Sequence, residues 1–277
     1  GLLSVSGDKM PRANRHFIPG QVWHITHRCH KQEFLLKFAK DRQRWLHWLF
    51  EARKRYGVQI LNYAVTSNHI HLLAQDDYER EVLPRTIQLV AGRTGQEYNH
   101  RKKRTGAFWE DRYHATAVQE GEHLIRCMAY IDMNMVRAGV VDHPCEWPFC
   151  GYNEIVNPPE RYALISRTRL CDLLGVNSPD SFTERYKGWI EEDLRKGDSD
   201  REPTWSESIA VGTKSFTERV KEKLGVRAIG RKVVADSGGH QLKEPAGSYS
   251  THFEGQTGLL SPKNTYNWDS IAIISTD

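Results

Sequence analysis

The chain has 277 residues, 39% hydrophobic and 27% charged, with a net charge of +4. That is enough for one sizeable core, or a core domain with an appended region, and a balance this mildly basic permits a nucleic-acid partner without demanding one. The five cysteines, Cys29, Cys127, Cys145, Cys150 and Cys171, are odd in number and form no CxxC pair, which argues against a disulfide framework or a cysteine zinc site and fits a reducing cytoplasm.

No run approaches the roughly 18 apolar residues of a membrane span, so no membrane partner is expected. The opening nine residues lack the apolar core of a secretory signal. Met10-Pro11 reads as a natural start behind a short leader. Gln21 to Cys29 alternates and is rich in β-formers, which predicts a strand. Lys40 to Tyr56 sets Trp45, Leu46, Leu49 and Ala52 at helical spacing, with Asp41 in the first turn and Gly57 just past the end. Trp45 and Trp48 read as core of that helix. Val58 to Val65 predicts a second strand, Ser67 and Asn68 a turn, and His69 to Gln75 a third strand paired with the second. Leu83 to Tyr98 predicts a second amphipathic helix, followed by the basic run Arg101–Arg104. Phe108 to Val118 predicts a fourth strand and His123 to Val136 a third helix, closed by Gly139. The order βαββαβα predicts an α+β fold: a ferredoxin-like βαββαβ sheet, two helices on one face, and the third helix across the open face.

After residue 150 the texture changes. Asn157-Pro158-Pro159 breaks the chain, Arg167 to Gly197 looks helical, and Ser206 to Leu224 predicts a further helix. Lys214 to Lys232 holds seven Lys/Arg against two Glu. That helix is either docked on the core through Ile209, Val211, Phe216 and Val220 or serves as an auxiliary DNA clamp. From Ala235 the chain is Gly/Ser/Asn-rich and reads as a loop-rich tail.

Two pieces carry chemistry. His69 and His71 lie two apart in a predicted strand, so both imidazoles point to one face and Ile70 to the other. They make either a natural pair of metal ligands or two histidines on a solvated strand face. Tyr130 and Asn134 lie four apart on the third helix and share a face. If that helix covers the sheet face bearing the histidines, Asn134 can supply a third, oxygen ligand and Tyr130 stands beside the metal. A hard divalent ion on such ligands keeps positions open for phosphate oxygens.

The run Asn68-His69-Ile70-His71-Leu72-Leu73 resembles the histidine–hydrophobic–histidine motif of the HUH nucleases. Phe108-Trp109-Glu110-Asp111-Arg112-Tyr113-His114 and Tyr130-Ile131-Asp132-Met133-Asn134-Met135-Val136-Arg137-Ala138-Gly139 resemble the REP-associated tyrosine transposases. Trp147-Pro148-Phe149 and Tyr152 are also similar to that family, and a segment like Trp205-Ser206-Glu207-Ser208 occurs in similar proteins. The resemblance runs from about Arg15 to Tyr152. It implies that His69, His71 and Asn134 bind a divalent metal, Mg or Mn, and that Tyr130 is the nucleophile. The implied activity is cleavage and rejoining of hairpin-associated single-stranded DNA through a 5′-phosphotyrosine. One departure is Met135, where the family often has a proline; the helix is therefore expected to continue past Asn134.

The expected organisation is a leader and basic arm over 1–14, the nuclease domain over 15–152, a mainly helical, basic region over 153–234 and the tail over 235–277. The resemblance gives the arm residues Arg12 and Arg15 a role at the hairpin foot and puts Arg112 among the DNA contacts. Arg101, Lys102, Lys103 and Arg104 are either a solvated loop or phosphate contacts beside Phe108 and Trp109. Two other functions fit the same residues: a non-catalytic single-strand binder, and a two-histidine phosphodiesterase using water. Whether the protein is a monomer or a homodimer is left open by the sequence.

Overall fold

The structure, a computed structural model, describes residues 18–243 apart from 77, 111, 198–201 and 237. Arg12, Arg15 and nearly all of the expected tail beyond residue 243 lie outside the described residues.

Strands β1 (Val22–Arg28), β2 (Gln59–Val65), β3 (His69–Gln75) and β4 (His114–Val118) are interleaved with helices α1 (Ala39–Tyr56), α2 (Val82–Lys102) and α3 (Glu122–Asp132). The strands line up as β2-β3-β1-β4 with every neighbour antiparallel. This is the ferredoxin-like arrangement that the βαββαβ order predicts. Period-two alternation sorts the side chains between the two faces. On β1, His27 stacks on Trp109 at 4.3 Å between ring centroids, and the Trp109 indole donates to the Ala91 carbonyl of α2 at 3.0 Å. The α2 layer therefore covers the His27 face, and α1 packs beside it with Trp45, Leu49 and Ala52 buried. His24 and Thr26 point the other way, to the face that α3 crosses. Gly57 closes α1 at φ 71°, a left-handed turn that suits glycine; its N–H reaches the Arg53 carbonyl at 2.9 Å.

Past α3 come the short α4 (Asn134–Arg137), then α5 (Gly151–Val156), α6 (Arg167–Leu174), α7 (Pro179–Lys196) and α8 (Thr204–Glu207). Strand β5 (Ser208–Gly212), helix α9 (Lys214–Leu224) and the hairpin β6 (Lys232–Asp236) and β7 (Gly239–Lys243) complete the described chain. Strand β5 joins β4 in parallel, Ala117 opposite Ala210 and Val118 opposite Val211. The sheet thereby grows to seven strands in the order β2-β3-β1-β4-β5-β7-β6. A buried carboxyl ties α7 to α3: Asp132 accepts from Tyr186 Oη at 2.5 Å, Asn62 Nδ2 at 3.1 Å and the Tyr152 N–H at 3.2 Å.

Several boundaries differ from the sequence expectation. Ser206–Leu224 is not one helix. Ser-Ile-Ala-Val-Gly at 208–212 is all buried and pairs on both edges, so a waiting sheet edge overrides the helical spacing of Ile209 and Val211. The Thr213 hydroxyl then caps α9, accepting from the Phe216 N–H at 3.3 Å. The region after 150 is therefore helical with three added strands, and part of the segment expected as tail forms β7. The third helix breaks at Met133 (ψ 0°), so Tyr130 and Asn134 stand on successive helices although no proline intervenes. The fourth strand starts at His114, because Phe108 is buried and Trp109 is committed to α2. Helix α2 runs on to Lys102, so Arg101 and Lys102 form its last turn and are not a loop.

Candidate functional site

The sheet face crossed by α3 and α4 brings four groups together. His71 Nε2 stands 3.1 Å from Asn134 Nδ2. The Tyr130 ring meets the His71 ring edge-on at 5.8 Å, and the His69 and His71 rings lie 4.9 Å apart. His69, His71, Tyr130 and Asn134 thus converge from β3, α3 and α4 despite the break at Met133.

The donor chemistry fits a divalent metal. His69 Nδ1 faces Asn68 Oδ1 at 2.8 Å and Thr66 Oγ1 at 3.0 Å. An amide oxygen only accepts, so the proton sits on Nδ1 and the lone pair on Nε2. The Asn134 amide lies within hydrogen-bond reach of His71 Nε2, so with its oxygen turned to that side it would join His71 in holding an ion. Amide nitrogen and oxygen interchange by a simple flip. Among the described residues, no group of three or more His, Cys, Asp or Glu is placed to hold a metal, so such a site depends on the Asn134 oxygen.

Three neighbours of this cluster were given no role at the site by sequence, although Arg137 falls in the second motif block and Trp205 in the Trp205–Ser208 segment. His24, on β1, stands with Nε2 2.9 Å from His71 Nδ1 and Nδ1 2.8 Å from the Trp205 carbonyl; burial drives its pKa down to about 4. Arg137 lays its guanidinium over the Tyr130 ring, 4.3 Å from the centroid, and donates to the Tyr130 carbonyl; burial lowers its pKa. The Trp205 ring is tilted against Tyr130 at 6.3 Å. Arg137 lies seven residues after Tyr130, two helical turns on, which is a usable signal. His24 alternates with Thr26 in a strand, a weaker one. Trp205 reaches the site only through the β4–β5 pairing, which no local pattern announces.

The expected DNA contacts are more dispersed. Arg101 is paired with Asp41, and Arg104 with Glu33 at 3.6 Å. Lys102 and Lys103 are exposed, as is Arg112 just before β4. Glu33 belongs to a segment tied back to the start of β3, since the Cys29 N–H donates to the Asn68 carbonyl at 2.7 Å. The run therefore sits at the His69 end of the sheet, with two of its four cations engaged in ion pairs.

Fold and cluster together define a class: a ferredoxin-like sheet whose open face carries a strand-borne histidine pair, met by a tyrosine from a crossing helix. Residues 20–134 match the family model described as "Transposase IS200 like". Among curated proteins none matches the chain. Two solved structures are similar at a distance. A REP-associated tyrosine transposase bound to a REP hairpin shares 20% identity over 54% of this chain and 87% of its own, with a TM-score of 0.44. A transposase, described as putative, from Deinococcus radiodurans R1 shares 14% identity over 39% of this chain and 87% of its own, with a TM-score of 0.31.

Proposed function

We propose that the protein is a metal-dependent endonuclease and strand transferase acting on single-stranded, hairpin-associated DNA, with Tyr130 as nucleophile. The observation that carries this reading is the meeting of Tyr130 and Asn134 with His71 on one sheet face, the Asn134 amide 3.1 Å from His71 Nε2. The preference for a hairpin follows from the resemblance of the two motif blocks to REP-associated tyrosine transposases. Cytoplasmic location accords with five cysteines that form no disulfide. Among the described residues, no helix is long and apolar enough to cross a membrane.

His69, His71 and Asn134 are the residues that would hold Mg2+ or Mn2+. When bound, such an ion polarises the scissile phosphate and neutralises transition-state charge. Tyr130 Oη attacks phosphorus, the bond to the 3′ oxygen breaks, and that strand leaves as a 3′-hydroxyl while the 5′ phosphate stays on the tyrosine. The phenol proton passes to solvent, and solvent returns a proton to the departing 3′ oxygen. Arg137, stacked on the ring, stabilises the phenolate that develops as the proton departs. A 3′-hydroxyl attacking the phosphotyrosine reverses the sequence and rejoins DNA. Lys102, Lys103 and Arg112 are proposed phosphate contacts, and Arg101 and Arg104 join them on exchange of their carboxylate partners. Arg12 and Arg15 are proposed for the hairpin foot.

The test is incubation of labelled single-stranded hairpin DNA with Mg2+ or Mn2+ on a denaturing gel. A protein–DNA adduct is expected in the wild type and none in Tyr130→Phe, which still binds DNA. Cleavage without any adduct would assign a water-using phosphodiesterase, and binding without cleavage a non-catalytic module.

A further inference from the structure

His24 lies outside both motif blocks, yet it is fully buried in direct contact with one of the paired histidines. Its ring nitrogens have partners that fix its proton. The Trp205 carbonyl, 2.8 Å from His24 Nδ1, can only accept, so Nδ1 carries the hydrogen. A charged imidazole in this buried place would need a counter-charge, and both ring nitrogens face neutral groups, a carbonyl and an imidazole. Neutral His24 therefore presents a lone pair on Nε2, and His71 Nδ1, 2.9 Å away, must be the donor. With its hydrogen on Nδ1, His71 holds its lone pair on Nε2, the atom that faces Asn134 at 3.1 Å. One carbonyl thus sets the tautomers of two rings in series.

The anchor is itself held. The Trp205 carbonyl also accepts from Thr116 Oγ1 at 3.1 Å, and its residue precedes β5, which is locked to β4. The two imidazoles are nearly parallel, 13° between planes with centroids 5.1 Å apart, which fixes the direction in which His71 Nε2 points.

We infer that His24, backed by the Trp205 carbonyl, is a positioning residue that holds His71 in the Nδ1–H form, so that its Nε2 lone pair faces the ligand side with Asn134. The consequence for catalysis rests on the proposed nuclease reading; the tautomer itself does not. In metal–histidine sites generally, the group accepting from the far ring nitrogen orients the ligand, and its loss lowers metal affinity about 10–100-fold.

Two readouts test this. Two-dimensional 15N–1H spectra of the metal-free wild type, with ring-labelled histidine, report the tautomers directly; His24 and His71 are both expected as Nδ1–H. Titration with Mn2+ alone, followed by its paramagnetic resonance, then compares variants shown to be folded by circular dichroism. His24→Leu is expected to release His71 into mixed tautomers and to weaken Mn2+ binding about 10–100-fold. His24→Gln keeps an oxygen to accept from His71 and an amide to donate to Trp205, and is expected to restore the Nδ1–H form and most of the affinity. An Nε2–H tautomer of His71 in the wild type refutes the proton chain whatever the variants do, as does unchanged Mn2+ affinity in folded His24→Leu. A Tyr130 adduct together with the wrong tautomer removes the chain alone. The expected tautomer and Mn2+ binding without any adduct remove the nuclease reading alone.

Discussion

A chain ending at Asn157 keeps His69, His71, Tyr130 and Asn134, yet it is expected not to fold. Four large, buried side chains lose their cover. Tyr130 loses the Trp205 ring, and Tyr152 loses Tyr186, 6.2 Å away. Ile155 loses the α7 residue Thr183, which donates to its carbonyl at 3.2 Å, and Val118 loses its sheet neighbour Val211. At about 1.5–3 kcal/mol for a side chain fully returned to water, the upper bound of the loss is roughly 6–12 kcal/mol. Removing Tyr186 also strips the buried Asp132 carboxyl of a donor, at about 1–3 kcal/mol more. A whole domain is usually stable by about 5–15 kcal/mol, so the loss is of the size of the total. Urea titrations of the truncated and full-length proteins by circular dichroism measure it, with no cooperative transition expected in the truncated chain. A truncated protein that unfolds cooperatively with a full-length midpoint would refute the reasoning and make residues 158–277 an independent appendage.

Other outcomes follow from single residues. Glu154 accepts the N–H groups of Leu164 and Ile165, but burial still raises its pKa; stability contributed by its protonated form is present at low pH and falls as pH rises from the ordinary carboxylate value through the raised one. Glu154→Gln should flatten that decline in urea midpoints taken between about pH 4 and 7. A Cβ on Gly151 would collide with Asn62 Oδ1, the residue that bridges α3 to β2, so Gly151→Ala should cost about 1–3 kcal/mol of unfolding free energy. Arg137→Gln removes the cation over the Tyr130 ring; adduct formation should slow by about tenfold while DNA affinity changes little, and an equal loss in both would point to a structural role. DNA binding should fall steeply with salt concentration in a filter assay, because Lys and Arg release counterions from the phosphates they meet.

Most of the elements between residues 18 and 130 were legible because their signals are local. The alternation of His69-Ile70-His71, the Gly57 stop and the βαββαβ order need no knowledge of distant contacts. The spacing of Tyr130 and Asn134 also carried through, although the helix breaks between them, because the N–H of Met133 still bonds the Ala129 carbonyl at 2.8 Å and keeps the turn. What stayed hidden is non-local. Ile209 and Val211 fit a helix or a strand equally well as isolated residues, and only the free edge of β4 decides between them. His24 reads as an ordinary strand histidine until β3 is laid beside β1. Trp205, some ninety residues past β4, becomes part of the site through a pairing of two residues on each side. The basic run at 101–104 shows the opposite failure: its charges are plain in sequence, but the partners of Arg101 and Arg104, Asp41 and Glu33, lie far earlier in the chain.

The parallel pairing of β4 with β5 also orders events in time. During synthesis the two histidines, the tyrosine and the asparagine leave the ribosome about seventy residues before Trp205 does. At roughly 5–20 residues per second that interval is about 4–14 seconds. Throughout it the strand that covers the β4 edge is missing, no carbonyl stands behind His24 and no indole beside Tyr130. The proposed site is enclosed only when the last third of the described chain docks, so a protein broken off early during translation would carry the residues of that site without their surroundings.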